Sequence, residues 1–182
     1  KKIINNFGGN LKAFVSGGGP LDKNVGIFLN SLGLKTLQGY GLTETSPVVS
    51  CNPVNKIKID TVGPAVLGVE TKVDEFGELL VRGNLVMKGY WNDEVATKQA
   101  IKKGWLHTGD IVEFDEDKYI KITGRKKEII VNSGGDNIAP TRVEGILAIE
   151  NEIEQVMVYG DGHPWLSAVI VPSDEIIKSL NN

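Results

Sequence analysis

The pattern that most constrains the fold is an apolar run that leads into a glycine-rich turn and then into an amphipathic helix. A buried strand is predicted over residues 11–16 (LKAFVS), and the turn follows at 17–20 (GGGP). A helix is predicted over 22–32, ended by Gly33, and a second short strand over 34–37. Strand, helix and strand with glycine-rich turns are typical of an α/β fold, in which ligands bind at the carboxyl ends of strands. The apolar face of the helix would comprise Val25, Phe28, Leu29 and Leu32.

The next stretch, residues 60–90, changes to short strand-like runs separated by turns, notably 69–73 and 78–82. This pattern predicts a small antiparallel or barrel-like subdomain. A helix over 93–103 should follow, with Asp93 as its N-cap and Gly104 as its stop, and then a β-hairpin over 111–123.

A second unit is predicted beyond Gly124, with strands and helices over residues 128–132, 140–150, 155–159, 166–171 and from about 174. The charged segment 125–127 is the expected boundary, which divides the chain into 1–124 and 125–182. The predicted fold class is therefore α/β followed by α+β.

Composition excludes several classes of function. The net charge is −3, with 20 Lys and Arg interspersed among 23 Asp and Glu. Because the basic residues form no stripe, nucleic acid is not an expected partner. No stretch reaches the roughly 20 apolar residues of a transmembrane segment, and no signal peptide is visible. The single cysteine, Cys51, cannot form an internal disulfide and favours a reducing, cytoplasmic setting.

The string at residues 39–45 (GYGLTET) carries three groups suited to a nucleotide. Tyr40, flanked by glycines, can lie flat against a planar base, and the hydroxyl of Thr43 suits a phosphate oxygen. Glu44 offers the hard oxygen ligand that Mg²⁺ prefers. For a lone G-Y-G, an ordinary turn with a solvated Glu is the more frequent structure, but seven residues are far more specific.

This string resembles the signature of the AMP-forming, adenylate-forming enzymes, which include acyl-CoA synthetases, luciferases and peptide-synthetase adenylation domains. The resemblance implies that Tyr40 packs on adenine, that Thr43 contacts the α-phosphate and that Glu44 helps to hold Mg²⁺. Thr43 and Glu44 would then be the catalytic residues, and the nucleotide-binding residues of this string would be Gly39, Tyr40, Gly41, Leu42 and Thr43.

A second string, residues 104–110 (GWLHTGD), places Asp110 at the end of a predicted tight glycine turn. There the carboxylate could accept two hydrogen bonds from a ribose diol, although a turn Asp more often bonds its own backbone. The string resembles the family motif W-L/F-x-T-G-D, which implies ribose binding by Asp110. His107 is expected to make only a local contact.

A third string, residues 123–130 (TGRKKEII), could be a solvated basic turn. It resembles the family stretch G-R-x-K/D-D/E-x-I, where the chain enters a mobile C-terminal domain. The resemblance implies that Arg125 contacts ribose or phosphate and that Lys127 is the hinge. Gly134 and Gly135 would form the loop used in thioester formation.

Two weaker matches complete a series of five in family order. Residues 77–90 (GELLVRGNLVMKGY) resemble the family's G-E-L stretch, and residues 16–20 (SGGGP) resemble the turn that lines adenine. The latter implies nucleotide binding by Gly17, Gly18, Gly19 and Pro20.

The resemblance implies a ligase that uses ATP and Mg²⁺ to activate a fatty acid as acyl-AMP and transfers it to coenzyme A. Several strings look most like those of the long-chain fatty acyl-CoA ligases. The sequence does not decide whether the protein contacts a membrane peripherally. The alternatives are a fatty acyl-AMP ligase, a peptide-synthetase adenylation domain, or a non-catalytic nucleotide-binding relative.

Two parts of that family's machinery are not found in these 182 residues: the upstream phosphate loop, and the late Lys that stabilises charge on the carboxylate and α-phosphate. Lys178 lacks the family's surrounding motif. Residues 1–124 are therefore expected to be the C-terminal part of the large domain, and 125–182 a truncated mobile domain. We expect that this polypeptide alone does not form acyl-CoA.

Overall fold

The computed structural model describes residues 2–180, which fall into two compact units. The first unit runs as far as Ile122, and the second begins at Thr123. This division lies inside a strand, β8 (Ile120–Arg125), two residues before the boundary predicted between 124 and 125. None of the helices within residues 2–180 combines the length and the hydropathy that a membrane-spanning helix requires.

The first unit opens with a three-stranded sheet and two helices. These elements are α1 (Lys2–Asn6), β1 (Phe14–Ser16), α2 (Lys23–Ser31), β2 (Thr36–Gly41) and β3 (Val48–Cys51). Strand β1 pairs with β2 in parallel, with Ser16 opposite Gln38, and β3 pairs with β2 in antiparallel. The predicted strand, helix and strand are therefore confirmed, and α2 makes the parallel crossover.

The ends of α2 follow their local signals. Asp22 is the N-cap, since its Oδ1 accepts a hydrogen bond from the backbone nitrogen of Val25 at 2.9 Å. Gly33 follows the last turn with φ +80°, a left-handed conformation that favours glycine.

The predicted burial of this region is wrong in two places. Val25 and Phe28, from the expected apolar face of α2, are 47% and 60% exposed, whereas Gly26 is buried. A Cβ on Gly26 would stand 2.7 Å from Cγ2 of Ile59, so the helix is held where a close approach selects glycine. Strand β1 is also shorter than predicted, and its central Val15 is 69% exposed, so the strand is not buried as expected.

The second part of this unit is the predicted antiparallel subdomain, built as a five-stranded sheet. Its elements are β4 (Val69–Val73), β5 (Glu78–Gly83), α3 (Glu94–Ala100), β6 (Ile101–Lys102), β7 (Trp105–Phe114) and β8. The order is β4-β5-β7-β6, and β8 also pairs with β7. The hairpins predicted around residues 74–77 and 115–118 are confirmed. A core cluster that includes Leu79, Leu106 and Ile120 also contains Tyr40 and Val49, so the two sheets share one core.

The predicted helix 93–103 ends earlier than expected. Asp93 caps it as predicted, accepting from the nitrogen of Ala96 at 2.8 Å, but the helix stops at Ala100. Lys103 and Gly104, with φ +51° and +78°, then form a two-residue turn between β6 and β7. Gly104 is therefore a hairpin glycine and not a helix stop, because two successive positive φ values match the twist of paired strands.

The second unit has mixed α+β structure. Its elements are β9 (Ile130–Val131), β10 (Asn137–Ile138), α4 (Pro140–Leu147), β11 (Ile153–Tyr159), β12 (Ser167–Pro172) and α5 (Asp174–Leu180). Strands β9 and β10 form one antiparallel hairpin, and β11 and β12 form another. Helix α4 contacts β11, where Oε1 of Glu144 accepts from the nitrogen of Val158 at 2.8 Å. The predicted fold class, α/β followed by α+β, is confirmed.

Candidate functional site

Tyr40 and Asp110 meet in the first unit. Tyr40 lies near the end of β2, and its hydroxyl donates a hydrogen bond to Oδ2 of Asp110. Both residues are buried, with exposed fractions of 9% and 2%. The fold thus brings together the two side chains that the strings at 39–45 and 104–110 singled out for adenine and ribose.

The prediction that Asp110 ends a tight glycine turn is wrong. Asp110 lies in the middle of β7. Gly109 before it has φ +76°, and the register between β5 and β7 shifts here, so the strand contains a β-bulge. Oγ1 of Thr108 donates to the carbonyl of Leu79 at 2.8 Å and accepts from the nitrogen of Asp110 at 3.1 Å. A bulge re-aims a side chain out of the regular alternation of a strand, and here it sets the direction of Asp110.

A buried carboxylate supports this bulge from β5. Oε1 of Glu78 accepts from the nitrogen of Gly109 at 2.9 Å, and its Oε2 lies 3.2 Å from Nδ1 of His107. The side chain of Glu78 is only 5% exposed, so these bonds compensate the burial of a charge. His107 makes the local contact that we expected of it.

Asp74, Glu78 and His107 also bring three potential metal ligands within 4.8 Å of one another. However, Oδ1 of Asp74 accepts from the nitrogens of Phe76 and Glu78, at 2.9 and 2.8 Å. These bonds form the turn between β4 and β5. Since the carboxylates already hold backbone groups, we assign this cluster a structural role.

The string at 39–45 forms the end of a strand and a short 3-10 helix, not one glycine turn. Gly39 and Gly41 belong to β2, and the 3-10 helix is Thr43–Thr45. A Cβ on Gly41 would lie 1.8 Å from the carbonyl oxygen of Pro47, so only glycine fits there. Thr45 is fully buried, and its Oγ1 accepts from the nitrogen of Leu42 at 2.9 Å.

Glu44 is half-buried and is held at two points. Its carbonyl oxygen accepts from the nitrogen of Met87 at 2.8 Å, and its Oε1 accepts from the hydroxyl of Tyr90 at 2.8 Å. The hydrogen bond to this carboxylate, together with burial, raises the pKa of Tyr90 above its ordinary value. Thr43 is exposed, so its hydroxyl is accessible to a ligand.

The glycine-rich turn after β1 passes close to β2. A Cβ on Gly17 would lie 3.2 Å from the carbonyl oxygen of Gly39, whereas Gly18 and Gly19 have open space around them. Leu21 donates its nitrogen to Oε1 of the buried Gln38 at 3.3 Å, which anchors the chain after the exposed Pro20. The turn is therefore packed against the backbone next to Tyr40.

The candidate residues of the second unit lie at the end of β8 and in the two loops after it. Arg125 ends β8, and its carbonyl accepts from the nitrogens of Glu128 and Ile129 at 3.0 Å, which closes a turn that exposes Lys127. Gly134 and Gly135 lie between β9 and β10. Oδ1 of Asn132 accepts from the nitrogens of Gly134 and Asp136 at 3.0 and 2.8 Å, which defines the shape of that loop.

An open depression of about 510 Å³ lies in the first unit, between residues 88–94 and the side of α3. Tyr90 contributes to its wall, but Tyr40 and Asp110 do not. The depression therefore meets the candidate site at Tyr90, whose hydroxyl is bonded to Glu44. The candidate site is therefore defined by the hydrogen-bonded side chains of Tyr40 and Asp110 and not by this depression.

Three residues that hold the site together have no role assigned by the sequence patterns: Thr45, Glu78 and Tyr90. Thr45 and Tyr90 stood at the ends of matched strings, and Glu78 stood inside one. No local pattern links Glu44 to Tyr90 or Glu78 to Gly109, since each pair is separated by more than 30 residues. Only the pairing of the strands reveals these partners.

Comparison with known proteins identifies the family. A sequence model for an AMP-binding enzyme matches residues 2–91. A second, for the C-terminal domain of an AMP-binding enzyme, matches residues 127–182. The chain belongs to the AMP-binding enzyme family. The first match contains Tyr40, Thr43 and Glu44, and the second begins at Lys127, the predicted hinge.

Curated relatives of this chain include two bacterial ligases. The chain is 46% identical over 178 residues to the long-chain-fatty-acid–CoA ligase FadD15 of Mycobacterium bovis, covering 98% of this chain and 30% of that protein. It is 36% identical over 165 residues to the long-chain-fatty-acid–CoA ligase of Haemophilus influenzae, covering 84% of this chain and 29% of that protein. The chain thus spans less than a third of the length of these relatives.

Solved structures agree with the family. The o-succinylbenzoate CoA synthetase of Bacillus subtilis, in complex with its acyl-adenylate intermediate, has a TM-score of 0.82 and 26% identity, over 93% of this chain and 39% of that one. The same synthetase in complex with ATP and magnesium has a TM-score of 0.79 and 27% identity, over 91% and 38%. This chain therefore shares the fold of the matched part of that synthetase.

Proposed function

We propose that the full-length protein is an ATP-dependent, AMP-forming ligase that joins a long-chain fatty acid to coenzyme A. In this proposal, residues 1–124 are the C-terminal part of the large domain, and 125–182 belong to the mobile small domain. The observation that carries it is the hydrogen bond between Tyr40 and Asp110, which pairs the two strings with the closest resemblance to the family's nucleotide motifs. The similarity to long-chain-fatty-acid–CoA ligases supports the substrate class.

The residues of the first unit suit MgATP. Glu44 would hold Mg²⁺ through a hard carboxylate oxygen, and the exposed hydroxyl of Thr43 would contact the α-phosphate. Asp110 would bind the ribose hydroxyls, since a carboxylate accepts strong charge-assisted hydrogen bonds. The open space around Gly18 and Gly19 would admit the adenine beside Tyr40. The cation would neutralise phosphate charge during the reaction.

The proposed reaction has two steps that balance chemically. In the first, a carboxylate oxygen of the fatty acid attacks the α-phosphorus of ATP, and pyrophosphate leaves. In the second, the thiol of coenzyme A attacks the acyl carbon, AMP leaves, and the thiol proton passes to solvent. We assign Arg125 to ribose or phosphate, Lys127 to the hinge, and Gly134 and Gly135 to the second step.

The alternatives to this function are a fatty acyl-AMP ligase, a peptide-synthetase adenylation domain, and a non-catalytic nucleotide-binding relative. The names of the curated relatives favour the CoA ligase over each of them. The discriminating property is the response to coenzyme A. An acyl-AMP ligase would release pyrophosphate without making a thioester, and a non-catalytic relative would do neither.

The test measures pyrophosphate release by the full-length protein across a panel of carboxylic acids of increasing chain length. It then measures acyl-CoA formation after coenzyme A is added. We expect both products, with the highest kcat/KM for long-chain acids. Release of pyrophosphate without thioester would replace the proposed ligase by an acyl-AMP ligase, and no release with any acid would reject adenylation.

Cytoplasmic localisation and peripheral contact with a membrane are part of the proposal. The single cysteine supports the first, because oxidising compartments favour paired cysteines. Burial raises the pKa of the Cys51 thiol, which keeps this group in its less reactive form. Cell fractionation of the full-length protein would check both statements.

A further inference from the structure

The carboxylate of Glu44 has a partner far away in the sequence. The hydroxyl of Tyr90 donates to its Oε1 at 2.8 Å, across 46 residues. An ionised carboxylate can only accept hydrogen bonds, so the tyrosine must be the donor. Within residues 2–180, no group donates to the other oxygen, Oε2. One oxygen of Glu44 is thus committed to the protein, and the second remains available to a ligand.

Tyr90 is itself held in place by its neighbours. Its nitrogen donates to Oγ1 of Thr97 at 2.9 Å, and that hydroxyl donates to the carbonyl of Asp93 at 2.7 Å. A Cβ on Gly89 would lie 2.7 Å from Cγ2 of Thr97, so the chain before Tyr90 passes close to α3. The phenol therefore extends from a backbone anchored to the first turn of a helix.

The two segments also meet through their backbones. The nitrogen of Met87 donates to the carbonyl oxygen of Glu44 at 2.8 Å, independently of either side chain. Removal of the phenol hydroxyl would therefore leave the segments adjacent and would free only the carboxylate. This separation makes the function of the side-chain bond testable.

A glutamate side chain has three rotatable bonds and loses that freedom when it binds a ligand. A hydrogen bond that orders the carboxylate in advance reduces this loss, as preorganisation does in other binding sites. Mg²⁺ gains most from such order, because it requires near-octahedral geometry and retains several of its waters.

We propose that Tyr90 is a positioning residue for Glu44, which fixes one carboxylate oxygen so that the other can bind the divalent cation that accompanies ATP. This inference rests on the proposed function, in which Glu44 is the cation ligand. It adds to the proposed site a residue outside the string at 39–45. It predicts that loss of the Tyr90 hydroxyl changes the Mg²⁺ dependence of the rate and leaves the KM for the fatty acid unchanged.

The test compares three variants of the full-length protein: Tyr90→Phe, Tyr119→Phe and Glu44→Ala. Tyr119→Phe is the matched control, because the hydroxyl of Tyr119 also makes one 2.8 Å bond, to the carbonyl of Lys56 in the same unit. The readout is pyrophosphate release as a function of Mg²⁺ concentration at a fixed, saturating concentration of ATP and fatty acid, together with the melting temperature.

We expect Tyr90→Phe to raise the Mg²⁺ concentration for half-maximal rate about three- to tenfold. This is less than the roughly 10- to 150-fold effect of losing a hydrogen bond to a charged ligand directly, because Tyr90 orders Glu44 and does not itself contact the cation. The rate at saturating Mg²⁺, the KM for the fatty acid and the melting temperature should stay close to those of the unmodified enzyme. Tyr119→Phe should leave the Mg²⁺ dependence unchanged.

Two results would overturn the inference and can be told apart. If Glu44→Ala abolishes activity but Tyr90→Phe has the Mg²⁺ dependence of the unmodified enzyme, the positioning role is wrong and the proposed site stands. If instead Glu44→Ala leaves pyrophosphate release unchanged, the assignment of Glu44 to the cation fails, and the role of Tyr90 fails with it.

Discussion

The hydroxyl of Tyr40 donates a hydrogen bond to Oδ2 of Asp110, and it joins two buried side chains that lie 70 residues apart in the sequence. Tyr40 belongs to the end of β2 and Asp110 to a bulge in β7, so the bond connects the three-stranded sheet to the five-stranded sheet. Because Tyr40 also packs in the shared core, the position of Asp110 depends on the packing of both sheets.

The first prediction concerns Asp110→Ala in the full-length protein. If Asp110 binds the ribose hydroxyls, the KM for ATP should rise at least about 10- to 100-fold, since even one charge-assisted hydrogen bond contributes about 1.5–3 kcal/mol. Steady-state pyrophosphate release at varied ATP would measure this. The exposed Asp117→Ala is the control and should leave the KM for ATP unchanged; equal values for both variants would contradict the ribose assignment.

The second prediction concerns Gly41→Ala. The new Cβ would lie 1.8 Å from the carbonyl oxygen of Pro47, so the backbone around the 3-10 helix must move. We expect the free energy of unfolding to fall by about 3 kcal/mol or more, as measured by urea denaturation. Gly19→Ala is the matched control, because a Cβ there meets nothing within 4 Å. Similar stability of the two variants would refute the close approach at Gly41.

The third prediction concerns the carboxylate that supports the bulge. Glu78→Ala would leave the nitrogen of Gly109 without its acceptor, and a buried unpaired group costs about 1–3 kcal/mol. Both the stability and the affinity for ATP should fall, because Asp110 follows Gly109. Glu78→Gln keeps a carbonyl acceptor and should recover most of both losses. A glutamine variant as impaired as the alanine variant would show that charge, and not the hydrogen bond to Gly109, is what matters.

The fourth prediction concerns acid stability at the turn between β7 and β8. Lys58 lies 2.7 Å and Lys56 2.9 Å from Oδ2 of Asp117, and their hydrogen bonds lower the pKa of Asp117 from 3.8 to about 2. Lys58 also contacts Asp115 and lowers its pKa. A lowered folded-state pKa contributes stability above the ordinary value, which is lost as the pH falls from about 4 toward 2. Lys58→Met should remove part of this pH dependence in thermal denaturation of the full-length protein. Curves of identical shape between pH 2 and 5 would exclude a contribution from the turn.

Several elements could be predicted because their signals lie within a few residues. Asp22 and Asp93 each cap a helix by accepting a hydrogen bond from the backbone nitrogen three residues ahead, and Gly33 ends α2 through its own φ. The hairpin between β4 and β5 follows from alternation around a short turn. In each case the interacting groups are neighbours along the chain, so a local pattern carries the information.

Predictions of burial and of element ends were less accurate. The apolar spacing of α2 indicated a helix correctly, but the side that packs is centred on Gly26 and not on Phe28. Periodicity indicates that one face is apolar, whereas close approach of another segment decides which face is covered. Likewise, β6 begins where α3 ends because residues 101–102 pair with β7, and that pairing overrides helix propensity.

The sequence by itself determined the family, through the string at 39–45 and the matches that follow it in order, and it determined the local caps and turns. Only the tertiary structure decided that Tyr40 is bonded to Asp110, that Asp110 projects from a bulge supported by Glu78, and that Tyr90 is bonded to Glu44. The physical reason is that these partners lie 31 to 70 residues apart. Their contacts depend on strand register and on the packing of two sheets, which no local pattern records.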